Sequence, residues 1–369
     1  MNSAQTRAAT NAAIKRASQQ ARNAMQVLDG ETVDALVAMY EDAAAQVKAA
    51  IRGAVDGSDA VPVSHLRDLL RQIEDVITRL GESRDTLLLE RLQTAAELGV
   101  RPYTLPGVAA TGVAGQAVLE SAAAMKVSAD AVSFVQAFTA VDGLTLSDRV
   151  WRLNLGAKEV LTRAISQAVV SGWDAQRAAA ALMYNGDTVS ADVSARLAGS
   201  KADALMRSAD LLTGDNGEVW KADRVFRTEI NRAHGTAYMA GAAKTPGFAG
   251  FRFLLSNRHP KPDICDLLAA QNLYGLGEGV YPTADTTPWP AHPNTLSFVV
   301  MVFEDEISNA DKAGRETVTD AMGRMSPEVR TGILGVQKAE LYDAGKIKTW
   351  MIRSPLYRVK ERLAGASVG

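Results

Sequence analysis

Residues 32–51, TVDALVAMYEDAAAQVKAAI, decide the fold class. Val33, Leu36, Val37, Tyr40, Ala44, Val47 and Ile51 recur at three- and four-residue spacing, the period of one face of an α-helix. A break follows at residues 53–64 (GAVDGSDAVPVS). A second stripe, Leu66, Leu69, Leu70, Ile73, Val76, Ile77 and Leu80, predicts a helix over Ser64–Leu80, and the pattern resumes over Ser83–Leu98. Residues 1–100 therefore read as an antiparallel helical hairpin or bundle. Its stripes serve as core or as the surface that meets a partner helix. Residues 99–115 (GVRPYTLPGVAATGVAG) carry two prolines and four glycines and read as a linker.

Composition agrees with helix. The chain has 369 residues, 47% of them hydrophobic and 22% charged, enough apolar material for a sizeable core. Alanine is abundant and aromatic residues are only 6%, which favours helix over sheet. The net charge of −2 argues against a bulk nucleic-acid coat. The single cysteine, Cys265, excludes an intrachain disulfide and a four-thiolate zinc site. No apolar run reaches the roughly 18–20 residues of a membrane helix. The first residues lack the apolar core of a signal peptide, so a soluble, cytosolic-type protein without membrane contact is expected.

Farther along, Leu146-Ser147-Asp148 opens a helix through Trp151, Val160, Leu161, Ile165 and Val169 that ends at Ser171-Gly172. Helices are expected at AQRAAAALM (175–183), over about Ser190–Leu212 and over Trp220–Ala243. The character changes at Thr245-Pro246-Gly247. Phe251–Leu255 (FRFLL) and Leu296–Phe303 (LSFVVMVF) read as strands, and the acidic run Glu304-Asp305-Glu306 closes this module. Helices return over 326–345, with a start signal at Ser326-Pro327-Glu328. The predicted fold is mainly α with a small α+β module, short antiparallel strands surrounding a Pro/His/Cys-rich loop core. The expected divisions are 1–100, a helical docking region; 101–140, linker and helix; 141–246, helical; 247–310, the loop-rich module; and 311–369, a C-terminal helix and basic tail.

The densest cluster of reactive side chains is NRHPKPDICD (257–266), followed by PAHPN (290–294). His259, Asp263, Cys265 and His292 are metal-ligand types on proline-stiffened loops, a pattern suited to a structural metal clip. The same residues admit a plainer reading: Asp263 and Asp266 cap a helix that starts near Cys265, and both histidines bond loop backbone. As a nucleophile Cys265 lacks an activating context, because Asp263 and Asp266 raise rather than lower a thiol pKa. A second constellation is RVFRTEINRAH (224–234). On a helix Glu229 neighbours Arg232 and Arg227 neighbours Asn231, so Arg227, Glu229, Arg232 and His234 read as a structural ion-pair helix that could brace the loops. An acid–base role for Glu229 and His234 is the weaker alternative. Both chain ends are basic. Residues 1–28 hold Arg7, Lys15, Arg16 and Arg22 and no acid; residues 344–369 hold Lys346, Lys348, Arg353, Arg358, Lys360 and Arg362 against Glu361. Such ends suit nucleic acid or an acidic protein surface. The GxSxG, GxxxxGK[ST] and HExxH motifs are absent.

At these residues the chain resembles phage head-morphogenesis proteins, the minor head proteins similar to the F protein of phage Mu. Asp142–Trp151 (DGLTLSDRVW), with the break at Gly172, resembles one helix start of that family. Phe226–His234 (FRTEINRAH) resembles its RTExxRAxN helix. His259–Asp266, Tyr274–Pro282 and His292–Asn294 together resemble its metal-like core, and Ile333–Gly335 with Ala344–Ile347 resembles its LGxxRxxLxxxGKI tail helix. The resemblance covers about 140–350, and its third segment is the most specific. One departure matters. Family members commonly continue His-Pro-Asn with Cys-x-Cys, where this chain has Thr295 and Ser297, so the cofactor implied is either none or zinc.

The resemblance implies a structural virion protein acting in prohead assembly and in DNA packaging or ejection. Its implied partners are the portal protein, the major capsid protein and packaged DNA. Its implied location is the virion head, with the host cytoplasm during assembly. Two other functions stand beside this one. The first is a metal-dependent hydrolase built on His259, Asp263, Cys265 and His292 with Glu229 as base. The second is a DNA-binding accessory protein using the basic termini.

Overall fold

The computed structural model describes residues 3–55, 61–104, 117–139, 143–171, 205–259 and 261–365. It is mainly helical, with one small antiparallel sheet. Two long helices come first, α1 (Ser3–Ala54) and α2 (Val63–Thr104). The two helices expected over 64–80 and 83–98 are therefore one. Glycine inside a helix costs about 1 kcal/mol, but Gly81 allows close contact: a Cβ there would lie 2.6 Å from Asn154 Oδ1. Gly99 and Pro102 of the expected linker lie inside α2, and residues 105–116 lie outside the described residues. Next come α3 (Ser121–Ala137), α4 (Leu146–Ser171), the short α5 (Asp210–Thr213) and α6 (Glu218–Ala242). The helix expected at 175–183, most of that at 190–212, and Asp142 and Gly172 of the resemblance lie outside the described residues.

The chain divides into two compact units. One comprises Asn23–Ala95 and Val132–Ala233. Its core is the predicted stripe itself: Leu36, Tyr40, Val47 and Ile51 of α1 are fully buried, as are Leu69 and Leu92 of α2 and Leu161 and Ile165 of α4. A fully buried side chain of this size contributes roughly 1.5–3 kcal/mol. The stripe is thus used as core, the first of the two roles expected for it. Arg84 is also buried, at 1% exposure. Its guanidinium donates to Asn154 Oδ1 (3.1 Å), the Val150 carbonyl (3.3 Å) and Asp85 (3.1 Å). Those acceptors replace part of the water that the charge has lost.

The other unit comprises Met1–Arg22, Ala96–Ala131 and His234–Gly369. Here α2 and α6 approach closely at two glycines. A Cβ on Gly99 would lie 2.5 Å from the His234 carbonyl oxygen, and one on Gly241 would lie 2.2 Å from the Tyr103 ring. The sheet holds β1 (Phe248–Leu254), β2 (Val280–Tyr281) and β3 (Phe298–Phe303) in the order β2-β1-β3, all antiparallel. Phe251, Phe253, Met301 and Phe303 are buried. The strand β2 went unforeseen because two residues carry no periodicity. Pairing of Leu254 with Phe298 brings the segment after β1 and the segment before β3 to one end of the sheet. Between them runs α7 (Ile264–Ala270).

Small helices follow: α8 (Asn309–Ala313), α9 (Val318–Gly323), α10 (Pro327–Leu334), α11 (Val336–Asp343) and α12 (Leu356–Gly365). The helical run expected over 326–345 is broken at Gly335, whose φ of 73° suits glycine and stops α10. Ser326 caps α10 by accepting from the Val329 N–H, as its sequence signal predicts. Leu267, Ala321, Met322, Leu334, Ala339 and Ile352 form one apolar cluster that anchors these helices to α7.

Candidate metal centre

The site begins with a helix cap. Asp263 has extended backbone geometry, and its Oδ1 accepts from the Cys265 N–H at 2.7 Å. Asp266 reaches back, its Oδ2 accepting from the Asp263 N–H at 2.8 Å. This reciprocal box fixes both carboxylates and starts α7 at Ile264, as the plainer reading of the sequence held. The box also leaves the outer oxygen of Asp263 free to face the opposite loop.

That loop supplies His292. Its Nδ1 lies 2.8 Å from the Pro293 carbonyl oxygen, which can only accept, so Nδ1 carries a proton and Nε2 is the nitrogen turned toward Asp263 and Cys265. Nε2 lies 3.2 Å from Cys265 Sγ and 3.2 Å from Asp263 Oδ2. The ligand atoms of Asp263, Cys265 and His292 all fall within 4.8 Å of one another. A tetrahedral zinc with bonds of 2.0–2.3 Å sets its ligand atoms about 3.3–3.8 Å apart, so the spacing is close to what the ion needs. The imidazole is also held as metal-bound histidines are, with the far nitrogen donating to backbone. Sulfur, nitrogen and carboxylate oxygen together suit a borderline-soft divalent cation, and the residues present fit zinc.

The four candidates of the sequence do not form a single cluster. His259 joins a second triad with Asp263 and Asp266, sharing Asp263 with the first. Its Nε2 lies 2.9 Å from Asp266 Oδ2 and 3.8 Å from Asp263 Oδ1. Asp266, foreseen only as a cap, is therefore a site residue as well. The signal for it was its spacing of three from Asp263, which any capping box shares. Thr295 and Ser297 are buried beside the sulfur, the Thr295 hydroxyl 3.6 Å from Sγ. Their hydroxyls favour the thiolate, but burial outweighs them and pushes the Cys265 thiol up to about 11. The free thiol is thus protonated at neutral pH, a poor nucleophile, and metal binding would release its proton.

The ion-pair helix is partly as foreseen. Arg232 Nε donates to Glu229 Oε2 at 2.9 Å, both buried, and the guanidinium lies 4.0 Å from the Phe138 ring centroid. Arg227 reaches Asp223 (3.1 Å) and Asp29 (2.8 Å), partners the i+4 argument did not name. His234 is a correction. Burial, with the charge of Arg22, pulls it down to about 4, so it is neutral and takes no part in an ion pair. Arg227, Glu229 and Arg232 belong to one unit, and His234 and the loops belong to the other.

The six C-terminal cations, Lys346, Lys348, Arg353, Arg358, Lys360 and Arg362, are all exposed. Arg353 donates to the Ala291 carbonyl at 3.1 Å. Arg358 lies over Tyr357 and Arg362 over Trp350, and both rings are exposed. Among the described residues no helix is long and apolar enough to cross a membrane. Comparison of the chain with protein-family models, with curated proteins and with solved structures finds no match.

Proposed function

We propose that this chain is a structural phage head protein, a minor component acting in prohead assembly and in DNA packaging or ejection, with its loop-rich module closed by a zinc clip. The observation that carries the reading is the convergence of Asp263, Cys265 and His292 from segments 27 residues apart. These residues fall in the most specific part of the family resemblance. They would hold the ion, and the ion would tie the start of α7 to the loop before β3. Cys265 is buried at 1% exposure while the Asp263 and His292 side chains are 32% and 33% exposed, so three ligands leave a fourth position open, and the structural role rests on the family resemblance. The exposed C-terminal cations supply a surface for packaged DNA.

Co-expression with the portal and major capsid proteins of the same phage tests the reading. A pull-down in about 0.3 M salt screens contacts driven by charge alone. Stoichiometric recovery of the portal is the expected result. Recovery of neither protein by the folded chain would overturn it.

A further inference from the structure

The face of the sheet that meets the start of α1 holds a cavity of about 200 Å³, formed entirely within one unit of the chain. Lys15, Ser18, Arg22, Tyr238, Arg252 and Glu306 supply its polar lining, and aliphatic side chains of α1, β1 and β3 supply the rest. The polar groups carry three positive charges and one negative. Lys15 and Glu306 pair with each other, and Glu306 also accepts from the Phe303 N–H at 3.0 Å. That leaves two guanidinium groups. Arg22 donates to Gln19 and lies 5.1 Å from the Phe298 ring centroid, with no carboxylate within ion-pair distance among the described residues. Arg252 likewise has none, and its Nε is buried without a hydrogen-bond partner. Two carboxylates feel the charge of Arg252: Glu306, which is in the lining and pairs with Lys15, and Asp311, which lies outside the lining and is bound to Ser308.

Both arginines are half-buried, which removes part of their hydration, and an anion in the cavity would replace it. Tyr238 adds a directed hydroxyl. Its oxygen accepts from the Met301 N–H at 3.0 Å and lies 3.2 Å from Ser18 Oγ, so one hydroxyl hydrogen bridges the pair and one is left to donate. The excess of two positive charges matches a phosphate group, which carries about −1.5 to −2 at pH 7, better than a single carboxylate. Planar guanidinium forks are also the side chains best shaped for phosphate. Partial burial lowers the Arg22 guanidinium from its ordinary value, and Tyr238 opposes the shift.

We propose that this cavity binds a small phosphorylated compound, its phosphate held by Arg22 and Arg252 and its body resting on the aliphatic lining. The proposal does not rest on the head-protein reading. A recessed space of this volume accommodates a small ester rather than a duplex backbone.

Isothermal titration calorimetry on the full chain tests it with four probes: inorganic phosphate, glucose 6-phosphate, acetate and a short DNA duplex. Saturable binding of both phosphates and none of acetate is the expected result. Arg22→Gln and Arg252→Gln should each weaken phosphate binding by roughly ten- to a hundredfold, the loss of one charge-assisted contact. Arg71→Gln, an exposed substitution in the other unit, should leave it unchanged. Circular dichroism checks folding, and Arg22→Gln carries the test alone if the strand variant does not fold. Binding that survives both substitutions, acetate binding as well as phosphate, or binding of the duplex alone would each overturn the proposal.

Discussion

In the helical unit, Leu36, Tyr40, Leu92 and Leu161 are buried on stripes that repeat every three or four residues, and each stripe supports its neighbours over many turns. In residues 248–303 of the other unit, three short strands and a seven-residue helix carry long loops, and single polar contacts fix the geometry. Asp263 caps a helix, His292 is oriented by one carbonyl, and Tyr281 donates to the Leu268 carbonyl at 2.9 Å. Redundancy differs between the two. A periodic apolar face spreads its stabilisation over a dozen side chains. A loop module concentrates it in a few atoms, and in the ion those atoms could share.

The largest expected effect tests the helical side. Leu36→Ala removes a fully buried side chain and should cost about 2–5 kcal/mol, read as a fall in the urea midpoint. In metal-free protein Cys265→Ala should cost less than Leu36→Ala, because a thiol is a smaller side chain than an isobutyl group. A reversed order would break the comparison.

Acid separates the units next. His234 drops from 6.5 in the unfolded chain to about 4 when folded. Below pH 6.5 the unfolded chain takes up a proton that the folded chain refuses. Stability therefore falls as pH drops from 6.5 through 4, by an amount on the order of 3 kcal/mol. Urea midpoints at pH 7 and pH 4.5 measure the slope, and His234→Gln should flatten it. An unchanged slope in the variant would assign the acid loss elsewhere.

Metal gives the third and smallest effect. At free zinc about 100 times the dissociation constant, chelator-treated protein should gain about 2.7 kcal/mol. His292→Ala and Cys265→Ala should each abolish that gain, while Leu36→Ala should retain it. Equal stabilisation of all variants would mean that zinc binds elsewhere.

The same contrast explains what the sequence made legible. Leu66 to Leu80 announced a helix, because periodicity is a property of neighbours along the chain. That Gly81 would be bridged was hidden, since the reason is Asn154, more than seventy residues away. Ligand types at 259, 263, 265 and 292 were visible as residue types. Their division into two triads was not, because it follows from the capping box of α7 and from the pairing of Leu254 with Phe298. Arg22 and Arg252 share a cavity with no local signal at either position.

The interleaved segments of the two units also set a timetable for synthesis. The unit that contains the sheet needs residues 1–22 together with residues beyond 234, whereas the helical unit is complete at Ala233. At about 5–20 residues per second, the opening turns of α1 wait roughly 10–40 s on the ribosome for the strands they will cover. Vectorial synthesis therefore lets the helical unit form first, and leaves Ile14 and Ala21, buried in the folded chain, without their sheet partners until the last third of the chain emerges.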